Sequence, residues 1–464
     1  MAVVDIAVIG AGVVGSAIAR ELVRHDLTVT LVDAADDVGT GTSKANTAIW
    51  HTGFDAKPGT LEAKLVARGH TLLAERADAS GWPLERTGAV LVAWDDEQRG
   101  RLPQIVANAE AVGYRRIEPL TVEQVYQREP ALGAGVTGGL LVPDEGLLDP
   151  WAVTLANATD AVVNGAALLL GATLTQVRVG ASSEPHVIST TRGDVAARWL
   201  VNAAGLGSDV VDRLMGHDGF TVTPRRGELI VFDKLARPLV NHIVLPVPTT
   251  TTKGVLVSPT TYGNVLLGPT AHDVTDRTAT GTTSAGLESL VEQGRRIMPA
   301  LLRHEITATY AGLRAATEHA DYCYDVFRDD RYVRVGGIRS TGVSAALALA
   351  ERVVSDLSDA GVAVRERDDF TTFAMPNLAE TGRRPFVDPA AIARDPEYGR
   401  IVCFCERVSA GEIRDAFTQP VPARDPDGLR RRTRALMGRC QGFYCGARVT
   451  GLVARTGPGP VPRG

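Results

Sequence analysis

The chain has 464 residues, 44% of them apolar and 22% charged, a composition ordinary for a water-soluble protein of two or three domains. A formal net charge of −5 argues against a generally nucleic-acid-binding surface. No run approaches the ~18 uninterrupted apolar residues of a membrane span, so a cytoplasmic protein with reduced thiols is expected, with peripheral membrane attachment through a partner left open.

Residues 3–9 are rich in Val and Ile, as a buried parallel strand requires, and lack the basic flank of a signal peptide. They run into Gly10-Ala11-Gly12-Val13-Val14-Gly15, a helix over residues 13–25 and a second strand over 28–32 ending at Asp33. This is the strand, GxGxxG, helix, strand, acid order of a dinucleotide-binding unit. Gly10 permits the turn, Gly12 lets backbone approach a pyrophosphate, and Gly15 lets the helix close on the strand. The amides at the start of the helix, among them those of Val13 and Val14, face the phosphates, and Asp33 can accept from ribose hydroxyls. Residues 39–53 then form a loop of small hydroxyl and amide residues, with Thr42, Ser43 and Asn46, leading to Trp50-His51. Such a loop can wrap a second phosphate or a ring, or be a plain surface turn.

Residues 61–77 and 152–164 read as amphipathic helices, and residues 228–233, 255–257 and 265–267 as strands. Residues 369–400, rich in Pro, Asp and Arg, read as a surface linker, and the tail from Gly457 as disordered. Four of the five cysteines cluster late in the chain: Cys403, Cys405, Cys440 and Cys445. Four thiolates suit a tetrathiolate centre, iron–sulfur or zinc, and a one-electron carrier has a use beside a redox nucleotide. Arg439 could offset their charge. Cys323 stands apart and reads as a small buried hydrophobe. Helical patterns are expected over residues 408–417, opened by Ser409, over 430–437 and over 445–453. The run Arg430-Arg431-Arg432 is expected to face solvent or a partner.

These pieces carry a resemblance. Gly10 to Gly15, Asp33, Thr42-Ser43-Lys44-Ala45-Asn46, Asp55-Ala56-Lys57-Pro58-Gly59-Thr60, Val201-Asn202-Ala203-Ala204-Gly205, Pro224-Arg225-Arg226-Gly227-Glu228, Lys253 to Thr260, Gly312-Leu313-Arg314 and Gly336 to Ser344 follow one another in family order. The chain resembles the D-amino-acid-oxidase-like superfamily of FAD-dependent oxidoreductases, most closely the large subunit of anaerobic-type glycerol-3-phosphate dehydrogenases. The C-x-C and C-x4-C pairs resemble the small helical [2Fe–2S] domain of the bacterioferritin-associated-ferredoxin type.

The resemblance implies an α/β fold in which a Rossmann-like FAD-binding domain is interleaved with an antiparallel substrate-binding sheet over residues 1–368. A linker over 369–398, an iron–sulfur domain over 399–455 and a tail over 456–464 would follow. It implies FAD, placed against Ala204, Gly205, Gly337, Gly342, Val343 and Ser344, with backbone near Leu174 holding the adenine. It also implies a [2Fe–2S] cluster on the four cysteines. No second glycine fingerprint for NADH appears, since Gly205-Leu206-Gly207 continues as Ser208-Asp209-Val210.

His51 is the candidate base, Arg314 and Arg339 the candidates for holding an anionic substrate, with Lys253 weaker. Trp50 could line the flavin or belong to the core, and a covalent flavin link at His51 stays an alternative. The expected reaction is oxidation of a small anionic alcohol, with sn-glycerol 3-phosphate first, electrons leaving through the cluster to a partner redox subunit or another external acceptor. The rivals are a 2-hydroxy acid or amino-acid substrate, and an electron-transfer subunit without its own substrate. Two departures fall near the expected substrate mouth: Thr261-Tyr262, where relatives often carry histidine, and Ala315 to His319.

Overall fold

The computed structural model describes residues 2–181, 183–248 and 254–456. Lys253 and the tail from Gly457 lie outside these residues.

The Val3–Ile9 strand is the hinge of the nucleotide half. It pairs in parallel with Val29–Val32 on one side and with Gly193–Asn202 on the other, so that Ile9 stands opposite both Val32 and Asn202. The eight-stranded sheet continues outward to Ala167–Leu169, and in the other direction to His186–Thr190 and Leu174–Arg178. Tyr332–Gly336, with Cys323–Phe327 beside it, joins the Gly193–Asn202 strand. Burial on both faces explains the continuous apolar run: Ile6, Ala7 and Val8 are inaccessible to solvent. The helices Val13–Val23, Pro150–Val163 and Gly342–Asp359 contribute to one core cluster, with Ile18, Leu22, Val153, Leu349 and Val353 in it.

The chain leaves this half twice to build a nine-stranded sheet, ordered His272–Asp273, Thr223–Phe232, Val265–Gly268, Leu256–Pro259, Ile243–Pro246, Ala89–Ala93, Gly138–Val142 and Glu118–Leu120, with Ile306–Ala316 also on Thr223–Phe232. The pairing is antiparallel apart from Ile243–Pro246 with Ala89–Ala93. The two sheets are thus interleaved along the sequence.

The helices expected at 61–77 and 152–164 are Leu61–Ser80 and Pro150–Val163, each opened by a side-chain cap, Thr60 and Asp149. Residues 369–400 are not merely draped: Met375 donates its N–H to Ser80, Phe373 to Asp160, and Met375, Leu378 and Ala379 are buried.

The cysteine-bearing end has its own core of Val402, Val408, Ile413, Phe417, Leu429, Leu436 and Val449. Each fully buried apolar side chain contributes roughly 1.5–3 kcal/mol before chain entropy is counted. A unit this small is marginal without a further staple. The expected 408–417 helix is Ala410–Thr418, opened by a Ser409–Glu412 capping box, and the last helix is Gly446–Thr456. The middle helix differs from expectation. It spans Pro426–Thr433, because Asp425 caps it and Pro426 opens it, and it ends at Arg434 in the left-handed region.

Candidate functional site

Four segments converge at the C-terminal edge of the first sheet. Gly10 turns with φ +106, and a Cβ there would meet the Ala203 carbonyl oxygen at 2.4 Å. Gly15 lies so close to this turn that a Cβ would fall 1.8 Å from the Gly10 oxygen. Ser43, from the Thr42–Lys44 turn, accepts the Val13 N–H at 2.9 Å over Gly12, and Asn46 Nδ2 donates to the Ser43 carbonyl. Ala204 and Gly205 follow the neighbouring strand. Asp33 accepts from the amides of Ala11 and Ala35; burial, partly offset by those amides, raises its pKa. The 171–174 segment lies against the end of the same strand, Ala172 donating its N–H to the Asp33 carbonyl and Gly171 to Ala35, which brings Leu174 to the Asp33 end.

Helix capping marks the same place. Side chains cap the helices that open at Leu61, Asp96, Val122, Pro150 and Ser284. The Val13–Val23, Ser208–Leu214 and Gly342–Asp359 helices have no N-cap side-chain bond; Ser43 takes the Val13 N–H of the first, and the remaining first-turn amides at these helix starts are available to an anion. Gly337, at φ +64, turns the chain into the third of these, so Gly342, Val343 and Ser344 stand at its start. A cradle of close-approach glycines and uncapped helix starts fits a dinucleotide.

His51 sits beside this cradle. Its N–H donates to Ser344 Oγ at 3.0 Å, and its Nδ1 lies 3.1 Å from Glu145 Oε2. Glu145 is fully buried, and its other oxygen accepts from the N–H and hydroxyl of Thr52. Strand pairing explains the meeting: Ile49 opposes Leu147 and Trp50 opposes Gly146, so the next step sets His51 opposite Glu145. Trp50 is wholly buried, stacked on His70 with ring centroids 4.0 Å apart, and belongs to the core.

Arg314 is delivered by strand alternation. Tyr310, Gly312 and Arg314 share one face of Ile306–Ala316, which lies against the 42–46 loop. Tyr310 donates its hydroxyl hydrogen to the Asn46 carbonyl, and a Cβ on Gly312 would meet the Ala45 oxygen at 2.2 Å. Arg314, the next on that face, has no carboxylate partner among the described residues; burial and nearby Arg225 lower its pKa. Arg225 is itself satisfied by two hydrogen bonds to Asp273. Arg339 is placed differently: it bonds Glu62 at 2.9 Å and the Ala320 carbonyl at 2.7 Å, with Thr341 donating to the same Glu62. Of the two departures, His319 is exposed with its ring on the Gly219 carbonyl, while Tyr262 is not at a mouth at all.

Tyr262 is buried where the nucleotide half meets the cysteine-bearing unit. Its ring stacks on Trp151, whose indole N–H donates to the Lys44 carbonyl, and the Arg434 guanidinium lies 3.9 Å from the Tyr262 ring centroid. Arg434 also bonds Glu406, next to Cys405. Arg431 and Arg432 are buried against Asp37, four residues past Asp33, which corrects the expectation that the run faces solvent or a partner for two of its three residues; Arg430 stays half-exposed on Asp427. Arg439 pairs with Asp233 instead of serving the thiols alone.

The four thiols stand as two facing pairs, Cys405 with Cys440 and Cys403 with Cys445. Among the described residues they do not close around one point as donors to a single ion. Burial pushes the Cys440 thiol up, but the N–H groups of Tyr444, Gly442 and Phe443, together with Cys405, outweigh it and bring the pKa down. Amides aimed at sulfur, and thiols in pairs, fit a binuclear iron–sulfur centre. Glu145 and Asp37 escaped sequence reasoning, and Tyr262 was noted there but assigned to the substrate mouth; for Glu145 the available signal was its place just before Gly146, where the Gly146–Leu148 strand begins.

The family model described as FAD dependent oxidoreductase matches residues 5–356, and that described as BFD-like [2Fe-2S] binding domain matches residues 401–455. The chain is 36% identical over 454 residues to a glycerol 3-phosphate dehydrogenase of Caloramator mitchellensis, covering 97% of this chain and 94% of that protein. It is 25% identical to one of the subunits of the anaerobic glycerol-3-phosphate dehydrogenase of Escherichia coli K12, covering 97% of this chain and 88% of that protein. Among solved structures, the dithionite-reduced, FAD-bound L-alpha-glycerophosphate oxidase from Mycoplasma pneumoniae superposes with a TM-score of 0.76 at 27% identity, over 81% of this chain and 100% of that one. The chain therefore belongs to the FAD-dependent oxidoreductase family and carries a BFD-like [2Fe–2S]-binding domain at its C-terminal end.

Proposed function

We propose that the protein oxidises sn-glycerol 3-phosphate to dihydroxyacetone phosphate and hands the electrons to an external acceptor through its C-terminal domain. The single observation that carries the substrate class is Arg314, a half-buried guanidinium without a carboxylate partner among the described residues, beside the cofactor loop. A desolvated cation of this kind is satisfied by an anion, and its planar fork matches a phosphate. The named activities of the relatives agree with that choice.

When bound, FAD supplies a hydride acceptor and the [2Fe–2S] cluster a one-electron carrier. The cradle of Gly10, Gly12, Val13, Val14, Gly15, Asp33, Thr42, Ser43, Asn46, Leu174, Ala204, Gly205, Gly337, Gly342, Val343 and Ser344 would hold the first. Cys403, Cys405, Cys440 and Cys445 would hold the second. His51 takes the proton of the substrate hydroxyl, with Glu145 fixing the ring orientation and compensating the charge the imidazole gains. Arg314 holds the phosphate. Arg339, neutralised by Glu62, shapes the rim where substrate enters.

Anaerobic addition of glycerol 3-phosphate to the FAD-loaded protein should bleach its flavin absorption, whereas glycerol, 2-hydroxyglutarate and proline should not at equal concentration. Bleaching by 2-hydroxyglutarate or proline alone would move the assignment to those substrates.

A further inference from the structure

Three aromatic side chains are exposed among the described residues, and all three lie in the cysteine segments: Phe404 at 66%, Phe443 at 83% and Tyr444 at 75%. Phe404 separates Cys403 from Cys405, while Phe443 and Tyr444 immediately precede Cys445. The other Phe, Tyr and Trp residues are buried or half-buried. Phe443 and Tyr444 meet edge to face with ring centroids 5.2 Å apart, so the patch presents a shaped surface. Exposed aromatics grouped in this way mark a contact surface, because water disfavours them and the fold leaves them uncovered.

The charge around the patch selects the partner. Residues 400–456 contain eleven arginines and no lysine against five carboxylates, a net +6 within a chain of net −5. Some of these arginines serve internal pairs, but Arg448 and Arg455 do not. They are exposed, lack a carboxylate partner among the described residues, and stand seven residues apart on the helix that starts directly after Cys445. Positive charge without a carboxylate partner among the described residues thus follows the aromatic centre along this helix, first Arg448 and then Arg455, whose Nε donates to the Gly451 carbonyl.

We infer that Phe404, Phe443 and Tyr444, with Arg448 and Arg455, form the docking face for a small acidic one-electron carrier protein. This rests on the reading that electrons leave through the C-terminal domain. Both halves of the face suit such a partner: aromatics for a desolvated centre, arginines for attraction and orientation of an acidic surface. Its position on the segments that carry the four thiols favours a redox protein over an anionic membrane or a second copy of this chain.

The test uses full-length protein loaded with FAD and iron, and an oxidised acidic plant-type ferredoxin as probe, with basic cytochrome c as comparison. Ferredoxin should bind the wild type with an affinity that falls as salt rises. Phe443→Ala with Tyr444→Ala, and separately Arg448→Glu, should each weaken binding at least tenfold. Iron and flavin contents establish that each variant is loaded, and Arg448→Glu leaves the cysteine segments untouched. Equal ferredoxin binding by wild type and Arg448→Glu, or preference for cytochrome c, would overturn the proposal. So would loss of self-association in sedimentation, or of flotation with phosphatidylglycerol vesicles, in place of lost ferredoxin binding. Substrate takes no part in this binding assay, so failure of glycerol 3-phosphate to bleach the flavin leaves its result intact.

Discussion

Arg432 holds Asp37 through two hydrogen bonds of 2.8 Å, one to each carboxylate oxygen, across 395 residues of chain. Arg431 adds a third contact to the same carboxylate, and all three residues are buried. Asp37 belongs to the segment that leaves the nucleotide strand, and the arginines belong to the unit that carries the four thiols. The two cofactor regions are therefore locked to each other through one carboxylate.

Removing that carboxylate leaves two guanidinium groups buried without compensation, which typically costs about 3–5 kcal/mol. Asp37→Asn should lower the thermal stability of the full chain and expose residues 369–400 to limited proteolysis. Burial opposes ionisation of Asp37, but Arg432 and Arg431 outweigh it and hold the pKa below the ordinary value. The contribution is therefore complete above about pH 4, the unfolded carboxylate value, and is lost as pH falls through the lower folded value. Proteolysis across this range should show wild type approaching the variant only in acid. An unchanged cleavage pattern in Asp37→Asn would remove the lock.

Arg314 yields a prediction of opposite sign for stability and turnover. Arg314→Leu removes a desolvated charge without a carboxylate partner, so substrate-free protein should melt no lower than wild type. The value of kcat/KM for glycerol 3-phosphate should nevertheless fall about 10- to 150-fold, the equivalent of one charge-assisted hydrogen bond of roughly 1.5–3 kcal/mol. Preference for glycerol 3-phosphate over glycerol should shrink by the same factor. A variant that melts lower and keeps its preference would show the arginine to be structural.

For the His51–Glu145 pair, the two variants should separate chemistry from orientation. His51→Asn should slow substrate reduction of the flavin by roughly 10²–10⁴-fold with little change in substrate affinity. Glu145→Gln keeps an oxygen for Thr52 but loses the charge facing the imidazole, and should give a rate between wild type and His51→Asn. Rapid-mixing absorbance under anaerobic conditions reads both. Equal rates in wild type and His51→Asn would reassign the base.

The parts of this molecule legible in sequence are those written by local constraint. Gly10 is marked by its own positive φ and Gly15 by the Gly10 oxygen five residues before it, and the alternation that aims Arg314 is a property of a single strand. Ser409 and Glu412 announce their helix because both partners of the capping box lie within it. Glu145 is 94 residues from His51 and joins it only through strand register, which no local pattern encodes. The arginine run looked solvated because charge runs usually are; the burial of Arg431 and Arg432 depends on one aspartate at the far end of the chain. Tyr262 looked like an altered substrate residue and is an interface residue, because its neighbours Trp151 and Arg434 come from distant segments.

The cysteine site allows thiol number to be separated from thiol placement. Cys440→Ser removes a ligand, so loss of iron there says little about geometry. Gly438 is more discriminating: a Cβ at this position would come 2.2 Å from Cys405 Cβ, a distance that requires one of the two segments to move. Its carbonyl also accepts the Gln441 N–H at 2.8 Å, at the start of a turn in which Gln441 and Gly442 are left-handed. That turn aims the amides of Gly442, Phe443 and Tyr444 at the Cys440 sulfur. Gly438→Ala should therefore keep all four thiols and yet lose most of the bound iron. Wild type should retain about two irons and two sulfides per chain, as a [2Fe–2S] centre requires. Flavin content should be the same in both proteins, since the glycine cradle lies in the other half of the molecule. Full iron and sulfide in Gly438→Ala would mean that the two cysteine segments tolerate displacement, and the pairing of Cys405 with Cys440 would then not govern assembly of the centre.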